Sequence, residues 1–122
     1  MLSEWQTHKG KMFLFCNFAG LETTDTLRAA IKESDLLIMT QPLNSVLVLV
    51  DVHGVPLFSK SAVSLVIDTI PRGKKYVRKT AVLGVGLTGQ RKVLFESILQ
   101  ITGGDMMAFD DMQQAKDWLV SG

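Results

Sequence analysis

Four apolar runs along the chain have the length and composition of buried β-strands. They cover residues 11–18, 45–52, 77–85 and 106–109. Run 45–52 is rich in β-branched residues, is too short for a typical helix, and is closed by Asp51 and Gly54. Because strands buried on both faces are apolar without interruption, we expect this run to be the central strand of a sheet.

A segment with helical periodicity follows each apolar run. The clearest one, after run 45–52, repeats apolar residues at i, i+3, i+4 and i+7. These residues are Val63, Val66, Ile67 and Ile70. Ser59 or Ser61 can cap this helix, because a serine hydroxyl accepts a hydrogen bond from an unpaired amide of the first turn. Residues 71–73 (Pro-Arg-Gly) predict its end.

The other three helices have start and end signals of their own. Threonine and aspartate cap a first turn, whereas proline and glycine end a helix. The predicted starts are Thr23 or Thr24, Gln90, and Asp110 or Asp111, and the predicted ends are Pro42 and Gly103. Three methionines in apolar segments are expected to fill the core. These are Met12, Met39 and Met106.

The order of these elements is β-α repeated four times. Such an order predicts an α/β domain with a mostly parallel sheet, right-handed crossovers and covering helices. A length of 122 residues, 47% of them hydrophobic, suits one domain around one core. We therefore predict a single α/β domain over residues 1–122, in which residues 1–10 are a flexible or edge N-terminal segment.

Charge and cysteine usage limit the partners and the compartment. Thirteen basic residues against twelve acidic ones leave a formal charge of +1, and the basic cluster of residues 72–79 lacks a stacking platform, so we expect no nucleic-acid partner. The lone Cys16 favours a reducing compartment. No leader pattern and no run near ~18 apolar residues is present, so we expect a cytoplasmic protein without membrane insertion. A homodimer would follow the general tendency of such proteins.

Glycines follow the third predicted strand with the spacing G-x-G-x-x-G. Free amides at the start of the next helix could hold a phosphate or carboxylate there, at the carboxyl-end edge of the sheet. The residues of this candidate anion site are Gly84, Gly86, Thr88, Gly89 and Arg91. A nucleotide-binding interpretation is disfavoured, because that fingerprint normally opens the first β-α unit and here it lies in the third.

A hydrolase interpretation can be built from Asp51, His53 and a downstream serine. No G-x-S-x-G elbow presents Ser59 or Ser61, and an Asp and a His at the end of an apolar strand are better explained by turn formation. The histidines and the cysteine do not have metal-ligand spacing. We therefore expect no enzyme activity, no metal and no cofactor.

The sequence resembles the small SpoIIAA-like proteins, relatives of the STAS domain of anti-sigma-factor antagonists that are also grouped with CRAL-TRIO lipid-binding lobes. Residues 47–54 (LVLVDVHG), 76–85 (YVRKTAVLGV), 108–111 (AFDD) and 115–119 (AKDWL) carry the resemblance, which covers most of the chain from Leu43 onward. It implies four β-α units that act through binding, without cofactor or turnover. The leading hypothesis is therefore a regulatory or protein-interaction module, and the alternative is a protein that binds a small anionic or lipid ligand.

The resemblance also points to a candidate regulatory serine. In STAS domains switched by phosphorylation, a D-S-S-G segment carries the switch serine at the start of a helix. The matching stretch here is Ser59-Lys60-Ser61-Ala62, so Ser61 takes the place of the switch serine. Ser59 replaces the aspartate and Ala62 the glycine of that motif, which is where this sequence departs from the family pattern.

Overall fold

A computed structural model describes residues 2–56 and 58–121 of the chain. It contains a mixed sheet and helices that alternate with its strands. In chain order the elements are β1 (Ser3–His8), β2 (Lys11–Asn17), α1 (Thr24–Ile38), β3 (Val46–Asp51), α2 (Lys60–Gly73), β4 (Val77–Leu83), α3 (Gln90–Thr102), β5 (Met106–Phe109) and α4 (Met112–Val120).

The strands lie in the sheet in the order in which they occur in the chain, with β3 in the centre. Strands β2 to β5 are parallel, and β1 pairs with β2 as an antiparallel edge strand. The turn between β1 and β2 consists of Lys9 and Gly10, both with positive φ, which is the conformation of a two-residue hairpin loop. The predicted α/β class with a mostly parallel sheet is confirmed.

The alternating side chains of the strands divide between two apolar clusters. Val46 and Val48 of β3 pack in the cluster that includes residues of α1, whereas Leu47 and Leu49 pack in the cluster that includes α4. Helices α1, α2 and α3 follow one another on the first face, and α4 covers the second. The sheet is therefore buried on both faces, as the uninterrupted apolar sequence of β3 predicts.

The end of α1 differs from the prediction, because the helix stops at Ile38, with Met39 as its C-cap, before it reaches Pro42. Ser59, Thr23 and Asp111 are the N-caps, each accepting a hydrogen bond from an amide of the first turn. Residues 71–73, predicted to end α2, form its last turn, and the helix ends at Gly73. Ile70 faces the sheet and Arg72 contacts α1, so this last turn packs against both neighbours.

Polar contacts fasten the C-terminal half of helix α4 to the sheet. The Lys79 ammonium donates to the carbonyls of Trp118 and Ser121 and lies 4.8 Å from the centre of the Trp118 ring. One residue before Trp118, Asp117 Oδ1 lies 2.8 Å from His8 Nε2 of β1. The hydrogen bond from His8, together with Lys9, lowers the pKa of Asp117. Lys79 of the basic cluster therefore has a structural role, since a cation beside carbonyl groups suits a helix C-terminus.

The methionines expected in the core do not all lie there. Met12 is 54% exposed and Met39 is 45% exposed, while Met106 is half-buried.

Cys16 is buried, and its burial raises the pKa of the thiol to about 11, so the thiol stays protonated at neutral pH. Within residues 2–56 and 58–121, no helix combines the length and the apolar composition needed to cross a bilayer.

Candidate functional site

The loops that follow β3 and β4 touch at the carboxyl-end edge of the sheet, and Gly84 is the point of contact. Its φ is +102°, in the region that favours glycine. A β-carbon at this position would overlap His53 N and would lie 2.8 Å from Val52 C and 2.9 Å from His53 Cα. Glycine here therefore allows two backbones to approach each other, independently of any ligand.

Arg91 joins the same two loops from the first turn of α3. Its guanidinium donates to the carbonyls of Gly84 at 3.1 Å, Val55 at 2.7 Å and Val52 at 2.9 Å. These hydrogen bonds direct the charge of Arg91 toward the interior of the loop layer. The α3 N-terminus itself begins after Gly89 without a side-chain cap, with Thr88 exposed and Gly86 at positive φ just before it.

The four residues of the hydrolase interpretation make separate hydrogen bonds and do not form one network among the described residues. Asp51 Oδ1 accepts hydrogen bonds from the His53 amide at 3.0 Å and is 2.5 Å from His53 Nδ1. Ser59 Oγ is occupied as the N-cap of α2, where the Ala62 amide donates to it. Ser61 Oγ bonds to a hydroxyl of α1. In the described part of the chain, the structure brings Asp51 and His53 together but places neither serine hydroxyl in a hydrogen bond with the imidazole.

Helices α1 and α2 are joined by two polar contacts with the same spacing in sequence. Thr24 Oγ1 and Ser61 Oγ lie 2.9 Å apart, and the two residues are 37 positions apart in the chain. Arg72 donates to Asp35 Oδ2 at 3.2 Å, also across 37 positions. The helices therefore run parallel in a fixed register, with one contact at their N-terminal ends and the other nearer their C-terminal ends. Burial raises the pKa of Asp35, and the hydrogen bond and charge of Arg72 oppose that rise.

An open groove of about 1010 Å³ lies between α1 and α2, and we call it the α1–α2 groove. Ile31 and Leu65 form its apolar floor. Ser61 lies at one end, and Leu36 and Met39, which are 62% and 45% exposed, lie at the other. The charged residues along the groove are Arg28, Lys32, Asp35, Lys60, Asp68 and Arg72.

Comparison with known proteins supports the fold. A scan against models of protein families and a search of curated proteins both find no match. Among solved structures, an uncharacterized protein of the DUF3478 family with a SpoIIAA-like fold, from Shewanella loihica PV-4, superposes with a TM-score of 0.71. The alignment covers 96% of this chain and 91% of that chain at 16% sequence identity. The chain has a SpoIIAA-like fold.

In this SpoIIAA-like fold, a second cavity lies inside the molecule, between the sheet and helices α2 and α3. It has a volume of about 160 Å³, and Thr69 is the one polar side chain among the described residues that line it. The Thr69 hydroxyl is already bonded to the Leu65 carbonyl. The cavity adjoins a larger space of about 320 Å³ that reaches Lys74 and Arg78 at the opposite edge of the sheet.

Three residues important for this geometry were not among the sequence-predicted site residues. Thr24 was considered only as a helix cap, and Leu36 and Met39 of the groove lie off the predicted apolar face of α1. The exposed pair lies three residues apart, a spacing that places two side chains on one face of a helix and could have indicated a second apolar surface. The contact between Thr24 and Ser61 has no sequence signal, because it depends on how two distant helices pack.

Proposed function

We propose that this protein is a STAS-like regulatory module without enzymatic activity, which binds a protein partner in the α1–α2 groove. The observation that carries the proposal is the contact between Ser61 Oγ and Thr24 Oγ1, which places the candidate switch serine at the end of that groove. Ser61 is exposed, so a kinase can reach its hydroxyl. Its position in the first turn of α2 matches the position of the switch serine in STAS domains.

A phosphate on Ser61 would change both the contact and the charge of the groove. The modified oxygen would carry a bulky group where the Thr24 hydroxyl now lies, and it would add nearly two negative charges beside Lys60. Helix α2 itself would tolerate this charge, because an anion in the first turn interacts favourably with the helix dipole. The expected effect is therefore on partner binding and not on folding.

The test is a comparison of serine variants in co-purification of crosslinked partners. We expect one reproducible partner to be retained with Ser61→Ala and lost, by roughly tenfold or more, with Ser61→Glu, because the added carboxylate imitates part of the phosphate charge. The matched control is Ser97→Glu, which places the same charge on an exposed serine of α3, away from the groove. Equal partner recovery with Ser61→Glu and Ser97→Glu would rule out the switch, and recovery of no partner would rule out the docking function.

The interior cavity favours a second candidate function, the binding of a small apolar molecule between the sheet and α2 and α3. Apolar stripe residues of α2 line this cavity and are only half-buried, so an occupant would complete their burial. They are Val63, Val66 and Ile70. An apolar cavity of comparable size in another protein stays dry and binds benzene or xenon.

Benzene is the probe for this second function. We expect saturating benzene to raise the midpoint temperature of unfolding of the wild-type chain by about 2 to 4 °C, because a ligand that binds only the folded state stabilises it. Val66→Phe should abolish the shift by filling the cavity, whereas Val93→Phe should keep it, since Val93 is 64% exposed on α3. An identical response of all three proteins, or none in the wild type, would remove this candidate.

A further inference from the structure

We propose that the occupant of the α1–α2 groove is an amphipathic helix of a partner protein whose acidic end lies over Ser61. This inference rests on the docking function proposed above and adds the chemistry and the orientation of the partner. It follows from the shape of the groove and from the unequal distribution of charge along it.

The groove has the length and the floor that a short helix requires. On α1 it extends from Arg28 to Met39, which at 1.5 Å per residue is roughly 17 Å, or about three helical turns. Ile31 and Leu65 supply an apolar floor between two parallel helices that are held in register. A third helix that places an apolar stripe against this floor would pack as helices do in a bundle.

Positive charge accumulates at the end of the groove where Ser61 lies. Lys60 and Arg28 line this end, and Lys32 lies one turn further along α1. Two acidic residues offset part of this charge. Asp25 pairs with Arg28. Asp68 lies 37 positions after Ile31, the spacing of the two contacts between the helices, so it is level with the middle of the groove. The N-termini of both helices are also at this end, and each adds up to about half a positive charge. A positive surplus remains.

The other end of the groove has the opposite character. The charge of Asp35 is compensated by Arg72, and the C-terminus of α1 adds a partial negative charge. Leu36 and Met39 present apolar surface there, each about half exposed or more. The charged side chains and the helix dipoles therefore reinforce each other. The groove is positive at the Ser61 end and apolar to weakly negative at the Met39 end.

This polarity selects both the composition and the direction of the partner helix. Acidic side chains of the partner are attracted to the Ser61 end, and its apolar residues cover Leu36 and Met39. The negative C-terminal end of the partner helix is also favoured over the N-termini of α1 and α2, so the partner runs antiparallel to both. The same polarity gives the switch its sign, since a phosphate on Ser61 would repel the acidic end.

The experiment is a selection from a yeast-displayed library of helical peptides of about 18 residues, long enough to span the groove. One face of each peptide is randomised. The full chain is the target, and Leu36→Glu, which alters an exposed side chain of the groove, is used for counter-selection. We expect the enriched peptides to be acidic, with Asp and Glu concentrated in the C-terminal half.

Affinity measurements then locate the acidic half. Lys60→Glu should weaken the enriched peptides roughly fivefold to tenfold, and so should raising the salt from about 0.05 to about 0.5 M, because exposed charge pairs are screened. The control Lys116→Glu makes the same charge change on α4, on the other face of the sheet, and should have no effect. A spin label at the acidic end should broaden the amide signal of Ser61 more than that of Met39.

Each other outcome overturns the inference. The inference is wrong if the enriched peptides are neutral or basic, or if they are equally sensitive to Lys60→Glu and Lys116→Glu. It is also wrong if the selection is empty because the chain self-associates through Leu36. The proposed function fails separately. Acidic peptides that bind the wild type and Ser61→Glu equally would keep the partner chemistry and remove the switch. A natural partner lost with Ser61→Glu, but held by a basic helix, would keep the switch and remove the inference.

Discussion

Replacing Gly84 with alanine is expected to lower the free energy of unfolding by about 3 to 5 kcal/mol, because the new methyl group strains the backbone and overlaps a neighbouring one. Gly84 has a φ of +102°, and its added β-carbon would meet His53 N and Val52 C. Neither neighbour is the flexible end of a side chain, so the loops must separate. Since the free energy of unfolding of a small domain is about 5 to 15 kcal/mol in total, this one methyl group would remove much of the stability.

Urea denaturation of Gly84→Ala beside Gly10→Ala measures this effect. Gly10 also has a positive φ, of +80°, but nothing lies within 4 Å of an added β-carbon there. The control therefore contains the backbone strain without the overlap and should lose about 1 to 2 kcal/mol. If the two variants lost equal stability, the close approach of the loops would not contribute and this account of Gly84 would be wrong.

The second large effect is expected for Arg91→Met, which should lower the free energy of unfolding by about 2 to 4 kcal/mol. Three loop carbonyls would lose a charged donor, and hydrogen bonds to charged groups contribute more than neutral ones. Only part of the loss would be recovered by water, because the contacts are partly buried.

The matched control for Arg91→Met is Lys92→Met, one residue further along α3. The Lys92 ammonium makes an i,i+4 ion pair with Glu96 at 3.2 Å, and such pairs contribute about 0.3 to 0.5 kcal/mol. Hydrogen exchange should show faster opening of the loop amide of Val55 in Arg91→Met and not in Lys92→Met. Loop protection that is the same in both variants would show that Arg91 does not join the loops.

The sequence predicted the elements whose signals are local. Strand β3 was expected from an uninterrupted β-branched run, and Ser59 was one of two candidate caps for α2 because a hydroxyl before an apolar stripe suits that position. Strand β1 was not among the four predicted strands, and its residues were expected only as part of a flexible or edge segment, since Trp5 is its one large apolar side chain. The turn of Lys9 and Gly10 that joins β1 to β2 has positive φ at both residues, a hairpin conformation that a Lys-Gly sequence does not by itself predict.

The candidate site depends on contacts that no local pattern contains. Topology placed Ser61 and Gly86 at the same edge of the sheet, because both follow parallel strands. The three carbonyls bound by Arg91 could not be foreseen, since they depend on how two loops fold over a helix start. The α1–α2 groove likewise arises from packing, because Leu36 and Ser61 belong to different helices whose register is set by the whole sheet.

The two contacts that join α1 and α2 differ in chemistry, so the two ends of the groove would respond differently to modification. A pair of neutral hydroxyls, one of them on the candidate phosphoacceptor Ser61, holds one end, while a guanidinium and a half-buried carboxylate hold the other. Modification of Ser61 would release the first contact and leave the second in place. Ala62, next to Ser61, is buried in the same apolar cluster as Leu27 and Ala30 of α1, so the helices would stay packed together. A single covalent change would therefore alter one end of the binding surface and spare the other.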